Sequence, residues 1–180
     1  MTSFDPAGFY AFDLEEGAVR AGGDRVLVMS DTVVTALVSA AEEAGDLSAL
    51  RVLGMELGAR AKGRLPDVAA ATPLDALGEA AAPVALFGWG RLRLERWGAA
   101  LVLELENAPA LGEDGFAEAA LLGGLLSGMT GREAACVPAR HEGARRFVVV
   151  SASIADTVYG WALDGFEVGA IVERLTRGAA

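Results

Sequence analysis

The sequence predicts an α+β fold, in which an antiparallel sheet built from hairpins packs against a helical layer. Two observations favour this class. In the first half, apolar residues recur at spacings of three and four, which is typical of amphipathic helices. In the second half, they alternate with polar residues over 90–98 and 99–109, which is typical of strands. Strands follow strands and helices follow helices, so a parallel sheet with crossover helices is not expected.

One hairpin and three helices are expected in the first half. Their bounds are, in order, 17–30, about 31–44, Asp46 to Pro66, and 73–81. Ser30 and Asp31 cap the first helix, Gly45 ends it, and Pro83 is expected to stop the third. The second helix has an apolar face formed by Leu50, Leu53, Leu57 and Ala61.

Two strand pairs, a long helix and a helical C-terminal part are expected in the second half. The elements are strands over 90–98 and 99–109, a helix over about 115–129, strands over 132–140 and 145–153, and helices near 156–163 and 166–176. The stretch 97–99 reverses the chain between the first two strands, which are predicted to have one dry face. Glu104 and Glu106 fall on the opposite, solvated face, where Arg93 can pair with Glu104.

Composition limits the classes of function. The chain has 180 residues, which suits a single domain over 1–180. Hydrophobic residues make up 53% of it, and its mean hydropathy is +0.37, so a large core or a covered surface is expected. The net charge of −10 disfavours binding to nucleic acid and to anionic membranes. The single cysteine, Cys136, excludes an internal disulfide and fits a reducing cytoplasm. The acidic N-terminus does not resemble a secretory signal.

The helix predicted over 115–129 includes most of the stretch "LLGGLLSGMTG" at 121–131, in which four residues are glycine. Each interior Gly costs about 1 kcal/mol relative to Ala, so the glycines must serve a contact. Membrane insertion is not expected, because a spanning helix needs about 20 apolar residues and this run is shorter. Gly123, Gly124 and Gly128 instead form a small-residue stripe. This stripe packs within the domain, forms a dimer seam, or borders a ligand cavity.

Three features resemble a known family. They are Gly-Trp-Gly before a strand at 88–90, the small-residue helix that ends in "LLSGMTGRE", and two strands joined by "HEG" at 141–143. Over about residues 24–150 the chain resembles the 4-vinyl reductase domain family. The superfamily of that domain includes TRAPP vesicle-tethering subunits, effector-sensing domains of some bacterial aromatic-catabolism activators, and haem-based nitric-oxide sensors.

The resemblance implies a TRAPP-like, dimer-forming α+β domain around an apolar cavity, with an extra C-terminal helical segment here over about 153–177. Such domains bind hydrocarbon-like or aromatic molecules or assemble proteins, and despite the name they are usually not enzymes. Family members commonly place a cysteine four residues before and four after the glycine that corresponds to Gly143. Ala139 and Phe147 stand at those positions, so a cysteine-dependent metal site is not carried over.

No metal, cofactor or catalytic site is expected. Cys136, His141 and Glu142 have the chemistry of metal ligands, but a closed structural site needs four ligands, and His141 falls in a predicted turn. The sequence contains no Gly-rich phosphate loop and no nucleophile motif.

The candidate site residues are apolar. The predicted ligand cavity is lined by Leu53, Leu57, Phe87, Trp89, Leu122, Leu126, Met129 and Phe147. The predicted interface residues are Gly123, Gly124, Gly128, Phe166 and Ile171. Each set has a structural alternative, namely the domain's own core and a C-terminal helix that covers the domain's own sheet.

Two functional hypotheses follow. The first is a non-enzymatic, cytoplasmic domain that binds a hydrophobic or aromatic small molecule and acts as a homodimer. The second is an assembly subunit of a bacterial multiprotein complex, such as a TRAPP-like adaptor or a cellulose-export-type oligomer, whose cavity is filled by its own side chains. A reductase is disfavoured because no redox residue can be named.

Overall fold

The main sheet has four antiparallel strands in the order β4-β5-β7-β6. A computed structural model describes residues 8–63, 73–109, 111–112, 114–139 and 145–178. Its strands are β1 (Tyr10–Asp13), β2 (Ala18–Ala21), β3 (Asp24–Val26), β4 (Arg91–Trp97), β5 (Ala100–Glu106), β6 (Ala134–Ala139) and β7 (Arg145–Ser151). Its helices are α1 (Asp31–Glu43), α2 (Ser48–Lys62), α3 (Pro73–Leu86), α4 (Phe116–Thr130), α5 (Ala155–Leu163) and α6 (Val168–Gly178). The predicted α+β class is therefore confirmed.

Both predicted strand pairs of the main sheet are present. Trp97 pairs with Ala100, so Gly98 and Ala99 form a two-residue turn, and Gly98 has the positive φ of 60° that such turns favour. β6 pairs with β7 over its whole length and lies at the edge of the sheet. Pro138 is tolerated in β6 because an edge strand has one side without a hydrogen-bonding neighbour.

Helices cover both faces of the main sheet. On one face, residues of α2, α3 and α4 pack with Leu92, Leu103 and Phe147 in a first core cluster. On the other face, residues of α5 and α6 pack with Val102 and Val148 in a second cluster. The prediction of one dry and one solvated face was wrong, because the C-terminal helices bury the second face as well.

Burial of the second face changes the expected ion pairs. Glu104 is only 7% exposed. Arg93 lies opposite Glu104 in the strand register, but its side chain pairs with Glu106 at 3.3 Å. Glu104 instead pairs with Arg146 of β7 at 3.3 Å. A buried carboxylate needs a desolvated partner, and the guanidinium of Arg146 is better buried than that of Arg93.

A close backbone contact joins α2 and α4 on the first face. Gly54 and Gly58 of α2, and Gly124 and Gly128 of α4, lie in this contact. A Cβ added at Gly58 would stand 2.8 Å from the amide nitrogen of Met129. One added at Gly128 would stand 2.9 Å from the carbonyl carbon of Met55 and closer still to its oxygen. The glycines therefore allow two helix backbones of the same chain to touch, which was one of the expected alternatives.

Two elements differ from the sequence prediction. α3 continues through Pro83 to Leu86, although Pro83 was expected to stop it. Val84, one residue later, is 1% exposed in the first cluster, and its burial offsets the hydrogen bond that proline cannot donate. β1 was not predicted, and it pairs with β2 to extend the predicted hairpin to a three-stranded sheet.

The α2–α4 contact predicts a specific sensitivity to small substitutions. We expect Gly128→Ala to lower the free energy of unfolding by about 1–3 kcal/mol, because the added methyl group forces the helices apart. Gly160→Ala is the matched control, since a Cβ there meets nothing within 4 Å. Gly160→Ala should instead raise the free energy of unfolding by about 0.5–1 kcal/mol, because alanine has a higher helix propensity than glycine. Urea denaturation of both variants measures the difference, and equal effects would contradict the packing described.

Candidate functional site

A cleft of about 430 Å³ opens between the start of α2, the first half of α4, the edge strand β6 and α5. This volume falls within the range of small-molecule sites in proteins. The residues that line the cleft are Glu42, Gly45, Leu47, Arg51, Phe116, Ala119, Ala120, Ala135, Cys136 and Tyr159. Small alanine side chains leave the space open, while a few larger polar and aromatic groups surround it.

Two aromatic rings form one wall of the cleft. The ring centroids of Phe116 and Tyr159 lie 5.2 Å apart, with their planes tilted by 53°. Burial raises the pKa of Tyr159, and the carboxylate of Asp114 raises it further. The phenol of Tyr159 therefore stays protonated at neutral pH and keeps a hydrogen-bond donor. This wall suits contact with a flat apolar group.

Arg51 supplies a positive charge to the cleft. It lies on the first turn of α2 and reaches across α4, where Nη1 donates to the backbone oxygen of Ala134 and Nη2 donates to Ser127 Oγ, both at 3.3 Å. Gly123 lies beneath the guanidinium, since a Cβ at that position would stand 3.2 Å from Nη1. The first glycine of the stripe therefore leaves room for a side chain, whereas Gly124 and Gly128 leave room for a helix backbone.

Cys136 lies in the cleft wall and is 8% exposed. Burial raises the pKa of its thiol to about 12, although the positive charge of Arg51 partly opposes the shift. At neutral pH the sulfur is therefore protonated, and it behaves as a small apolar group rather than a nucleophile.

A buried ion pair lies beside the cleft. Glu118 of α4 is 1% exposed and pairs with Arg145 of β7, which also donates to the backbone oxygen of Gly112 at 2.8 Å. Burial is the main cause of the raised pKa of Glu118, with Glu42 adding to it and Arg145 opposing it. The carboxylate of Glu42 lies against Gly112. Glu42 and Glu118 therefore lie near Arg145 and Gly112, whereas Asp114 acts on Tyr159.

The eight residues of the sequence-predicted cavity lie together in the first core cluster. Leu57, Leu122, Leu126, Met129 and Phe147 are each 9% exposed or less, and Leu53, Phe87 and Trp89 pack around them. None of the eight lines the cleft. The structure thus brings these residues together in one buried hydrophobic cluster, and the cavity predicted among them stays a prediction.

The predicted interface residues make contacts within the chain. Gly123, Gly124 and Gly128 face α2 or its Arg51 side chain. Ile171 is fully buried against the main sheet, and the half-buried ring of Phe166 packs beside it under the guanidinium of Arg174. The C-terminal helices therefore cover the domain's own sheet.

The predicted turn at 141–143 lies outside the described residues, so the structure places neither His141 nor Glu142 relative to Cys136. Among the residues that are described, no group of three or more His, Cys, Asp or Glu side chains could hold a metal ion. None of the described helices is both long and apolar enough to span a bilayer.

Sequence reasoning missed the cleft because its lining comes from distant parts of the chain. Phe116 and Tyr159 were visible only as two aromatics among many. The sequence did contain one sign of a ligand-binding group. Arg51 is a cation one residue after Leu50, at the edge of the apolar face of α2. Which side chains it would meet depends on the α2–α4 contact.

Comparison with solved structures gives a match to the crystal structure of the phenol-responsive sensory domain of the transcription activator PoxR with phenol. The two chains are 13% identical and superpose with a TM-score of 0.56, over 80% of this chain and 85% of that one. At this identity the likeness shows only that the two chains share an α+β fold. No protein-family model and no curated protein matches the chain.

Burial of Cys136 predicts a slow thiol reaction. At about pH 8 we expect dithiodipyridine to modify the native protein far more slowly than the unfolded chain, since almost no thiolate forms at a pKa of about 12. In denaturant, one thiol per chain should react rapidly. Fast, stoichiometric modification of the folded protein would show that Cys136 is accessible or ionised.

Proposed function

We propose that this chain is a non-enzymatic domain that binds an aromatic small molecule in the cleft between α2, α4, β6 and α5. The observation that carries this proposal is the cleft itself, whose volume of about 430 Å³ is bordered by Phe116, Tyr159 and Arg51. A mostly apolar concave site with a few directed polar groups is the usual form of a small-molecule site. The fold shared with a phenol-responsive sensory domain supports the same class of function.

The side chains of the cleft favour binding over catalysis. Cys136 is held as a thiol, so it offers no nucleophile at neutral pH. The raised pKa of Tyr159 keeps its hydroxyl neutral. These groups can orient a ligand by hydrogen bonds and ring contacts without changing it.

We further propose that the domain acts as a dimer through the segment 27–37. This segment exposes five large apolar side chains, and exposed apolar patches mark interaction sites on soluble proteins. Their exposed fractions are 81% for Leu27, 71% for Val28, 50% for Met29, 47% for Val33 and 60% for Leu37. A second copy of the chain presents the same apolar segment, so a symmetric contact would cover both. Because α1 also carries Glu42 at the cleft, ligand binding can act on this contact.

The alternative is an assembly subunit without a ligand. The gathering of Leu57, Leu122, Met129 and their neighbours in one buried cluster supports it, since side chains of the chain itself occupy that region. In this case the apolar segment 27–37 contacts a different protein or builds a larger oligomer. A ligand-free assembly larger than a dimer in native mass spectrometry would favour this alternative.

Filling the cleft tests the binding proposal. We expect Ala120→Trp to weaken binding of the aromatic probes cinnamate and cinnamamide by about tenfold or more, because the indole occupies the ligand volume. Ala59→Trp is the matched control on an exposed position of α2 and should bind both probes like the wild type. Isothermal titration calorimetry measures both affinities. Equal binding by all three proteins would place the probes outside the cleft.

A charge in the apolar segment tests the dimer. We expect Leu37→Glu to convert a wild-type dimer to a monomer, since two buried carboxylates would face each other across the symmetric contact. Leu163→Glu changes a residue of similar exposure at the end of α5 and should leave the dimer intact. Sedimentation equilibrium reports the mass of each protein. A monomeric wild type, or a dimeric Leu37→Glu variant, would contradict the proposal.

A further inference from the structure

We infer that the ligand of the cleft carries an anionic group, as an aromatic carboxylate does, and that Arg51 binds that group. The inference rests on the proposed function, since it names the chemical class of the ligand in the same cleft. It is carried by the position and hydrogen-bond partners of Arg51, compared with the other half-buried arginines that the structure describes.

Three arginines are half-buried in the part of the chain that the structure describes, namely Arg51, Arg145 and Arg146. Arg145 pairs with the buried Glu118, and Arg146 pairs with Glu95 and Glu104. Arg51 has no carboxylate within ion-pair distance among the described residues, and its acceptors are a hydroxyl and a backbone carbonyl. Arg145 and Arg146 therefore have carboxylate partners within the chain, whereas Arg51 at the cleft has neutral ones.

The guanidinium of Arg51 has donors left for a ligand. Of its five N–H groups, one on Nη1 and one on Nη2 are used, each in a bond of 3.3 Å to a neutral acceptor. Both bonds are longer than the usual 2.9–3.0 Å for N–H···O contacts, so they position the group more than they neutralise it. A planar guanidinium matches a carboxylate with two parallel hydrogen bonds.

The fold holds this guanidinium at the cleft. The absent side chain at Gly123 leaves the space in which Nη1 lies, and Ser127 fixes Nη2 from the next turn of α4. Ser127 is itself held, because its Oγ donates to the backbone oxygen of Gly123 at 2.7 Å. An arginine that is positioned before binding loses less side-chain entropy when a ligand arrives.

Electrostatics favours an anion beside Arg51, although the protein as a whole is acidic. Half-burial of an uncompensated cation costs solvation free energy, and a bound anion recovers part of that cost. Glu42, the acidic residue of the lining, has its carboxylate against Gly112 on the Arg145 side. When Arg51 binds the carboxylate of a ligand, the rings of Phe116 and Tyr159 are available to contact the aromatic part of the same ligand.

The test compares cinnamate with cinnamamide, which have the same ring and chain but differ in charge. We expect the wild type to bind cinnamate about tenfold or more tightly than cinnamamide, as charge-assisted hydrogen bonds are stronger than neutral ones. Arg51→Gln should abolish that preference by weakening cinnamate far more than cinnamamide, and a cooperative urea transition shows that the variant is folded. Arg60→Gln removes the same charge from an exposed position of α2 and should keep the preference.

The outcomes separate the inference from the proposed function. If the wild type binds both probes equally and Ala120→Trp loses both, the cleft binds aromatics but Arg51 does not select an anion. If neither probe binds the wild type, both claims are overturned. Should Arg51→Gln fail to fold, Arg51→Lys is the second variant. It keeps the positive charge but lacks the two parallel N–H donors of the planar guanidinium. It should weaken cinnamate several-fold and spare cinnamamide, and an unchanged cinnamate affinity would contradict the inference.

Discussion

The glycine-mediated contact between α2 and α4 is the constraint on which the rest of the structure depends. Two helix backbones touch because Gly54, Gly58, Gly124 and Gly128 leave no side chains between them. This approach places Leu57 and Leu125 in the first core cluster, where they are 2% and 0% exposed. It also fixes the start of α2 beside the first half of α4, which is where the cleft opens. The α2–α4 contact therefore determines both the packing of the core and the position of the cleft.

Charged side chains have different partners inside the fold and at the cleft. Charges within the fold are matched in pairs, as in Glu118 with Arg145, and the sulfur of Cys136 is kept neutral by burial. Among the half-buried arginines that the structure describes, Arg51 differs, because its acceptors are neutral and it borders open space. An uncompensated charge at a cavity wall is a feature of recognition sites, since a ligand completes it.

Much of the fold was predictable because periodicity is local. The strand alternation over β4 and β5 and the glycine-rich helix α4 were read from neighbouring residues. The G-x-x-x-G spacing of Gly124 and Gly128 recurs at Gly54 and Gly58, but pairing the two helices requires tertiary contacts. The burial of Glu104 also requires tertiary contacts, because it depends on C-terminal helices about 60 residues away in sequence. The cleft could not be predicted for this reason, as its residues run from Glu42 to Tyr159.

Amide chemical-shift mapping during a cinnamate titration distinguishes the cleft from the packed core most directly. A ligand in the cleft should shift the signals of Leu47, Ala120, Ala135 and Tyr159 and leave the centre of the first core cluster unchanged. Shifts concentrated instead at the core residues that the sequence alone had indicated would contradict the site. Those residues are Leu57, Leu122, Met129 and Phe147.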